Sequence, residues 1–543
     1  MPRYFIVGSV FDKKYLGGIY PLKINYHWND KYLQIFDNPV FCQSVKSTNF
    51  SWYERPTDHK ELMKEDLMSK LVNLKEIRYD ITFRQNDEWN IKLPTNLPRL
   101  ESLDILLRKY DEDVYEDVYA DCQKIFQGLD KCGPRGWENI RKLFFYGYME
   151  YRHIDLIPVY FRNVKSLAFQ SVTLNEQTLV EILPQMVLKT LKLIRVNLSN
   201  ESENIDRIIS TFCQSKTLKN VEIENGTYST SRLIDSLNSN HSIKSFILDG
   251  SRDVDPLHSP QNLTITNQTL ESLFIPFYED DVSNIPLESQ WQSVSSITEF
   301  NLRSQHLPKA EYLLKYHPKC TSISYRSTTL EFVNMTEFIK SNNPNVHTLA
   351  LDYINRNSLL PNEYIQSLTM NNFISILHLH ETRFKDFIFL MDRMKSLTKL
   401  YVSHVYQWDI VEFQRSMIEA KNLKFLNLNS IVFPKEGVEL SDDYDDGDID
   451  DDDDDCKHRE STSQFLKSLC KIIDANQNLS FLRIPARDGD QLPVEDLELF
   501  QQTIERNYQH LKYIYIWNPS ISNILYKYMI AHSQYYNQSD GIF

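Results

Sequence analysis

The chain has 543 residues, 59 basic against 74 acidic side chains, a formal charge of −15, 41% hydrophobic residues and only 13 glycines. So little glycine argues against phosphate-cradling loops and collagen-like sequence. Residues 435–460 hold three basic and fourteen acidic residues, leaving −4 for the rest, so no domain-wide basic excess speaks for a nucleic-acid partner.

Seven scattered cysteines without a repeated spacing suit a reducing compartment. Tyr4-Phe5-Ile6-Val7 is too short for a secretory apolar core, and the longest later run, Phe387 to Met391, cannot span a bilayer. The expectation is a cytoplasmic or nuclear protein with no membrane contact and no cofactor.

In chain order, residues 1–45 stand apart. Their apolar positions are Tyr4-Phe5-Ile6, Val10-Phe11, Tyr15-Leu16, Leu22, Ile24 and Trp28. They predict an aromatic-rich helical or mixed segment that caps the first repeat, because an exposed end of a repeat array needs a cover. From Leu74 to Trp517 one phrase recurs sixteen times: an apolar anchor, an apolar residue at anchor +3 and another at anchor +5. The anchors are Leu74, Leu100, Ile140, Val164, Leu188, Leu218, Ile243, Leu270, Ile297, Cys320, Val346, Ile374, Leu397, Leu423, Leu479 and Leu511. A period of this size means an array of supersecondary units, each contacting mainly its neighbours.

Alternation at +3 and +5 predicts a short strand with one buried face. An amphipathic helix comes next, as in Ile205, Ile208, Ile209 and Phe212, or Phe465, Leu466, Leu469, Ile472 and Ile473. Polar stretches before the next anchor, Ser239-Asn240-His241-Ser242, Asn343-Pro344-Asn345 and Asn476-Gln477-Asn478, read as helix stops with asparagine in a left-handed cap. The interval from Leu423 to Leu479 holds the acidic run, with eleven aspartates between Asp442 and Asp455. Such like charge cannot be buried, so residues 435–460 are expected to form a disordered insertion loop. An EF-hand frame fails there, because Tyr444 falls on a ligand position.

His378 and His380, at +4 and +6 of one strand, point to an exposed face and lack enough neighbouring ligands for a metal site. No catalytic, metal or cofactor-binding constellation stands out. The face made by +2, +4 and +6 is small and polar in the middle (Ser166, Ala168, Gln170; Ser322, Ser324, Arg326). Toward the C-terminus it turns aromatic: Tyr401, Phe425, Phe481, Tyr513, Tyr515 and Trp517. Aligned aromatics suit a protein-binding patch; the alternative is that Ile521 to Ile530 cover the last strand.

These features resemble the leucine-rich-repeat family over residues 70–530, in its ribonuclease-inhibitor-like and F-box-associated forms. The resemblance implies an α/β solenoid, a curved parallel sheet with helices on the convex side. The Asn or Cys common at anchor +8 is replaced by Val172, Val196, Thr328, Thr382, Val405 and Ile431, so no ladder is expected there. Residues 1–45 resemble a degenerate F-box. Pro2, Ile6, Phe11, Leu16, Leu22 and Trp28 would then dock a Skp-type adaptor, although Gly17-Gly18 and Pro21 interrupt the helix. The resemblance implies a non-enzymatic substrate receptor of a Skp–cullin–F-box ubiquitin ligase. The alternative is a leucine-rich-repeat scaffold or regulator without a ubiquitin link.

Overall fold

A computed structural model describes residues 3–6, 22–27, 42–52 (except 44), 70–83, 99–109, 119–121, 137–199, 204–253, 264–274, 291–303, 310–327, 333–353, 360–432 (except 407), 455–484 and 492–515, with a few positions between 520 and 528. All sixteen anchors are buried, and every residue at anchor +3, from Ile77 to Ile514, is at most 1% exposed. Each such aliphatic or aromatic side chain contributes about 1.5–3 kcal/mol by leaving water. The pair therefore fixes where each strand enters the sheet. The amide at anchor +1 donates to the carbonyl at anchor +1 of the preceding repeat (Lys165 to Arg141, Lys189 to Lys165, Thr398 to Ser375), so the register is carried from repeat to repeat.

The chain divides into two compact units, with the division at residues 285–296. In the first unit the strands Arg3–Ile6, Leu22–His27, Val45–Trp52, Glu76–Phe83, Ser102–Lys109, Lys142–Tyr146, Ser166–Gln170, Thr190–Ile194, Asn220–Tyr228, Ser245–Asp253 and Ser272–Phe274 pair in sequence order, always parallel. A narrow second parallel sheet joins Tyr119–Asp121, Glu150–Arg152, Thr173–Leu174 and Asn197–Leu198. In the second unit, Glu299–Arg303, Ser322–Ser327, Thr348–Tyr353, Ile376–Arg383, Lys399–Tyr406, Phe425–Val432, Phe481–Arg483 and Tyr513–Tyr515 pair in the same way. Helices such as Thr230–Ser239 and Phe384–Arg393 connect the strands. One parallel strand per repeat, with a buried anchor and a returning helix, is leucine-rich-repeat architecture.

Three expectations are corrected. The N-terminal helical cap is not what the described residues of that segment form. Arg3–Ile6 and Leu22–His27 are strands of the sheet, and Val45 sits buried at an anchor position that the sequence pattern missed. Leu22-Lys23-Ile24-Asn25-Tyr26 alternates with period two, which is a strand pattern and not a helical one. The array therefore starts well before residue 70. Second, the acidic segment is helical at its end, within an interval from Leu423 to Leu479 that is, as the sequence allowed, one repeat carrying an insertion, Phe425–Val432 pairing directly with Phe481–Arg483. Residues Asp455 to Glu460 of the acidic segment belong to the helix Asp455–Ala475, while 435–454 lie outside the described residues.

The third correction concerns the asparagines. Asn240 and Asn371 hold extended backbone, not a left-handed cap. They occupy anchor −3, as do Asn267, Asn343 and Asn476, and all five are buried. Asn267 Nδ2 donates to the carbonyls of Leu237 and Asn240, while its Oδ1 accepts from the amides of Thr269 and Leu270. Asn371 repeats the device between Ile339 and Ile374. The side chains of Asn240, Asn267, Asn371 and Asn476 thus join the helix end of one repeat to the strand entry of the next, while Asn343 accepts from the Asn345 amide within its own turn. At anchor −1 a second ladder runs on the outside. Asn73, Asn163, Asn345, Asn422 and Asn478 each donate to the carbonyl at anchor −2 of the repeat before. The ladder absent from anchor +8 is carried by these two positions.

Candidate functional site: an aromatic column on the sheet of the second unit

In the second unit the buried anchors Ile374, Leu397, Leu423, Leu479 and Leu511 set five adjacent strands in register. Asp409 caps the helix between two of them, its carboxylate accepting from the amides of Val411 and Glu412. With Leu400 and Val402 turned into the core, Tyr401 faces the opposite side of the sheet.

Five rings line up across these strands. His378 stacks on Tyr401 at 4.0 Å between centroids, Tyr401 meets Phe425 at 4.5 Å, Phe425 stacks on Phe481 at 3.8 Å, and Phe481 on Tyr513 at 4.3 Å. The column begins at anchor +4 and crosses diagonally to anchor +2 between Tyr401 and Phe425. Each contact is worth about 0.5–1.5 kcal/mol beyond the area it buries. The face of each inner ring is covered by its neighbours, so a partner meets ring edges.

Tyr401, Phe425 and Phe481 are half-buried and reachable, whereas Tyr513 and Tyr515 are buried, contrary to their expected exposure. Ile521 and Leu525 in the next segment are also buried. Tyr515 stands beside the column, with the Arg483 guanidinium 5.2 Å from its ring centroid. Trp517 lies outside the described residues. Sequence reasoning missed His378, which it assigned to an exposed face. It is 4% exposed, and burial first, then the Lys399 charge, pull its imidazole down to about 4. The signal was its position at +4, one strand before Tyr401.

Two polar atoms adjoin the rings. Asn427 Oδ1 and Arg483 Nη1, on strands paired in register, are buried and without a hydrogen-bond partner among the described residues. Such atoms are costly when left unpaired. Among the described residues no group of His, Cys, Asp and Glu is placed to hold a metal ion. No described helix is long and apolar enough to cross a membrane. Of the residues assigned to adaptor docking, Ile6 and Leu22 stand on strands. Pro2, Phe11, Leu16 and Trp28 lie outside the described residues.

No family model matches the chain, and no curated protein matches it. Among solved structures it is similar to an internalin (InlF) from Listeria monocytogenes strain 4b F2365, at 12% identity and a TM-score of 0.24, over 68% of this chain and 78% of the other. It is also similar to TLR13 in a TLR13–ssRNA13 complex, at 13% identity and a TM-score of 0.30, over 94% of this chain and 64% of the other. The assignment of leucine-rich-repeat architecture rests on the strand register and buried anchors of the chain itself.

Proposed function

We propose that this chain is a non-catalytic recognition protein that binds a protein partner on the sheet face of its second unit. The ring column carries the reading. Its stacked side chains have already lost their rotamer freedom, so a partner packing on the edges of Tyr401, Phe425 and Phe481 orders little further. Because the rings cover one another's faces, the column is poorly suited to stacking bases, and a protein is the better partner.

The test is capture by the wild-type chain and by a Tyr401→Ala/Phe481→Ala variant, with the captured protein identified, purified and titrated back. The reading expects the variant to bind at least about tenfold more weakly, as the loss of hot-spot aromatics does. Equal affinity removes this face.

The finer assignment, a substrate receptor for a Skp–cullin–F-box ligase, rests on the resemblance of residues 1–45. Strands at Ile6 and Leu22 weigh against the helical frame it requires. Co-purification with a Skp-type adaptor, lost on deletion of residues 1–45, would support it. Failure of the full chain to retain the adaptor leaves the scaffold reading.

A further inference from the structure

The charge total hides a column of cations at the strand entries of the first unit. The residues at anchor +1 on five successive strands are Arg141, Lys165, Lys189, Lys219 and Lys244, tied in a row by their backbone hydrogen bonds. Glu101 precedes this row, where it pairs with Lys75 at 2.6 Å, and Glu271 comes after it, where it pairs with Lys244. Between those pairs, Arg141, Lys165, Lys189 and Lys219 have no ion-pair partner among the described residues, and all four reach solvent. Exposed Arg162 and Lys216, at anchor −2, add to the same strip, where the exposed Glu138 of the first repeat is acidic. Strands about 4.8 Å apart bring like charges close enough to repel one another. An anionic partner would relieve that repulsion.

We infer that this row is a docking track for an extended acidic segment of a partner protein, about six residues long. The length comes from the geometry: four strand spacings of about 4.8 Å match roughly six residues at 3.3 Å each. Glu101 and Glu271 close the strip at both ends, which suits a short anionic segment better than a continuous polyanion. From anchor −2 to anchor +2 of these five repeats there is no Phe, Tyr or Trp on which a nucleic-acid base could stack. The track lies in the first unit and stands independently of the aromatic column.

The test is fluorescence anisotropy of a labelled hexaglutamate peptide titrated with the full-length chain. The expected result is binding that weakens as salt rises from about 50 to about 200 mM. The triple variant Lys165→Gln/Lys189→Gln/Lys219→Gln should bind about tenfold more weakly, as the loss of three exposed ion pairs predicts. Tyr401→Ala should leave the affinity unchanged. Equal affinity of the triple variant and the wild type overturns the inference. Tighter binding of a single-stranded RNA oligomer through the same three lysines also overturns it, by making the row a nucleic-acid interface.

Discussion

Replacing Asn267 with alanine probes the device that joins one repeat to the next. The side chain is 2% exposed and makes five hydrogen bonds: to the carbonyls of Leu237 (2.6 Å) and Asn240 (2.7 Å), from the amides of Thr269 (2.8 Å) and Leu270 (2.9 Å), and a longer one from the Thr269 hydroxyl (3.2 Å). At about 1 kcal/mol net for each of the four bonds to backbone groups, which cannot turn to another partner, with part of the desolvation penalty of those groups added, the expected loss is about 4–5 kcal/mol. Repeat arrays open in parts, so hydrogen exchange is the suitable assay. Protection should fall at Thr269, Leu270 and the strand Ser272–Phe274, and much less at strands several repeats away. Asn267→Asp should be comparably damaging, because it keeps the acceptor but turns an oxygen toward two carbonyls. Asn163→Ala, which removes a single exposed bond to the Glu138 carbonyl at 2.9 Å, should cost only about 0.5–1 kcal/mol. A loss below about 0.5 kcal/mol for Asn267→Ala, within the range of ordinary surface changes, would refute the reasoning.

Three further outcomes are expected from the same geometry. His378 is held neutral in the fold, with its pKa lowered to about 4 from 6.5. Its contribution is therefore intact above pH 6.5 and is lost as pH falls from 6.5 toward 4, by up to about 3 kcal/mol. Denaturation of wild type and His378→Gln across that window should converge at low pH, and parallel curves would contradict it. Burial pushes the thiols of Cys213 and Cys320 up to about 12 and that of Cys470 to about 11. These three should resist a thiol reagent at pH 8 until the chain is unfolded; rapid labelling of the native protein would count against the packing. A Cβ at Gly147, whose φ is +153°, would sit 2.3 Å from the Leu107 carbonyl oxygen. Gly147→Ala should therefore lower stability by about 2–4 kcal/mol, read by urea denaturation, and an unchanged midpoint would refute the contact.

The leucine-rich part of the fold was legible because anchor and +3 positions answer only to burial, and all sixteen sequence anchors are buried. The first strands were not. Val45 has Thr48 at +3, which breaks the apolar phrase, and the register shifts by one residue after Val45 before the backbone pairs regularly from Ser47 onward. The asparagines before Ile243, Val346 and Leu479 were visible but read as local caps. Only the folded array brings carbonyls from the preceding repeat within their reach. Within the site, the alignment of Tyr401, Phe425 and Phe481 came from the +2 and +4 positions. The burial of His378 and Tyr513 did not, since alternation places a side chain on a face without showing how far its neighbours cover it. The lysine row escaped because charge was summed along the chain, while the fold collects it across strands.

The central claim, that recognition occurs on the sheet face of the second unit, is tested most directly by site-specific photocrosslinking. A benzophenone amino acid replaces Tyr401 on the sheet face or Phe389, an exposed residue of the connecting helix Phe384–Arg393. The account predicts a covalent adduct with the partner from position 401 and none from position 389. Adducts from 389 alone, or none from 401 while the partner stays bound, would contradict it.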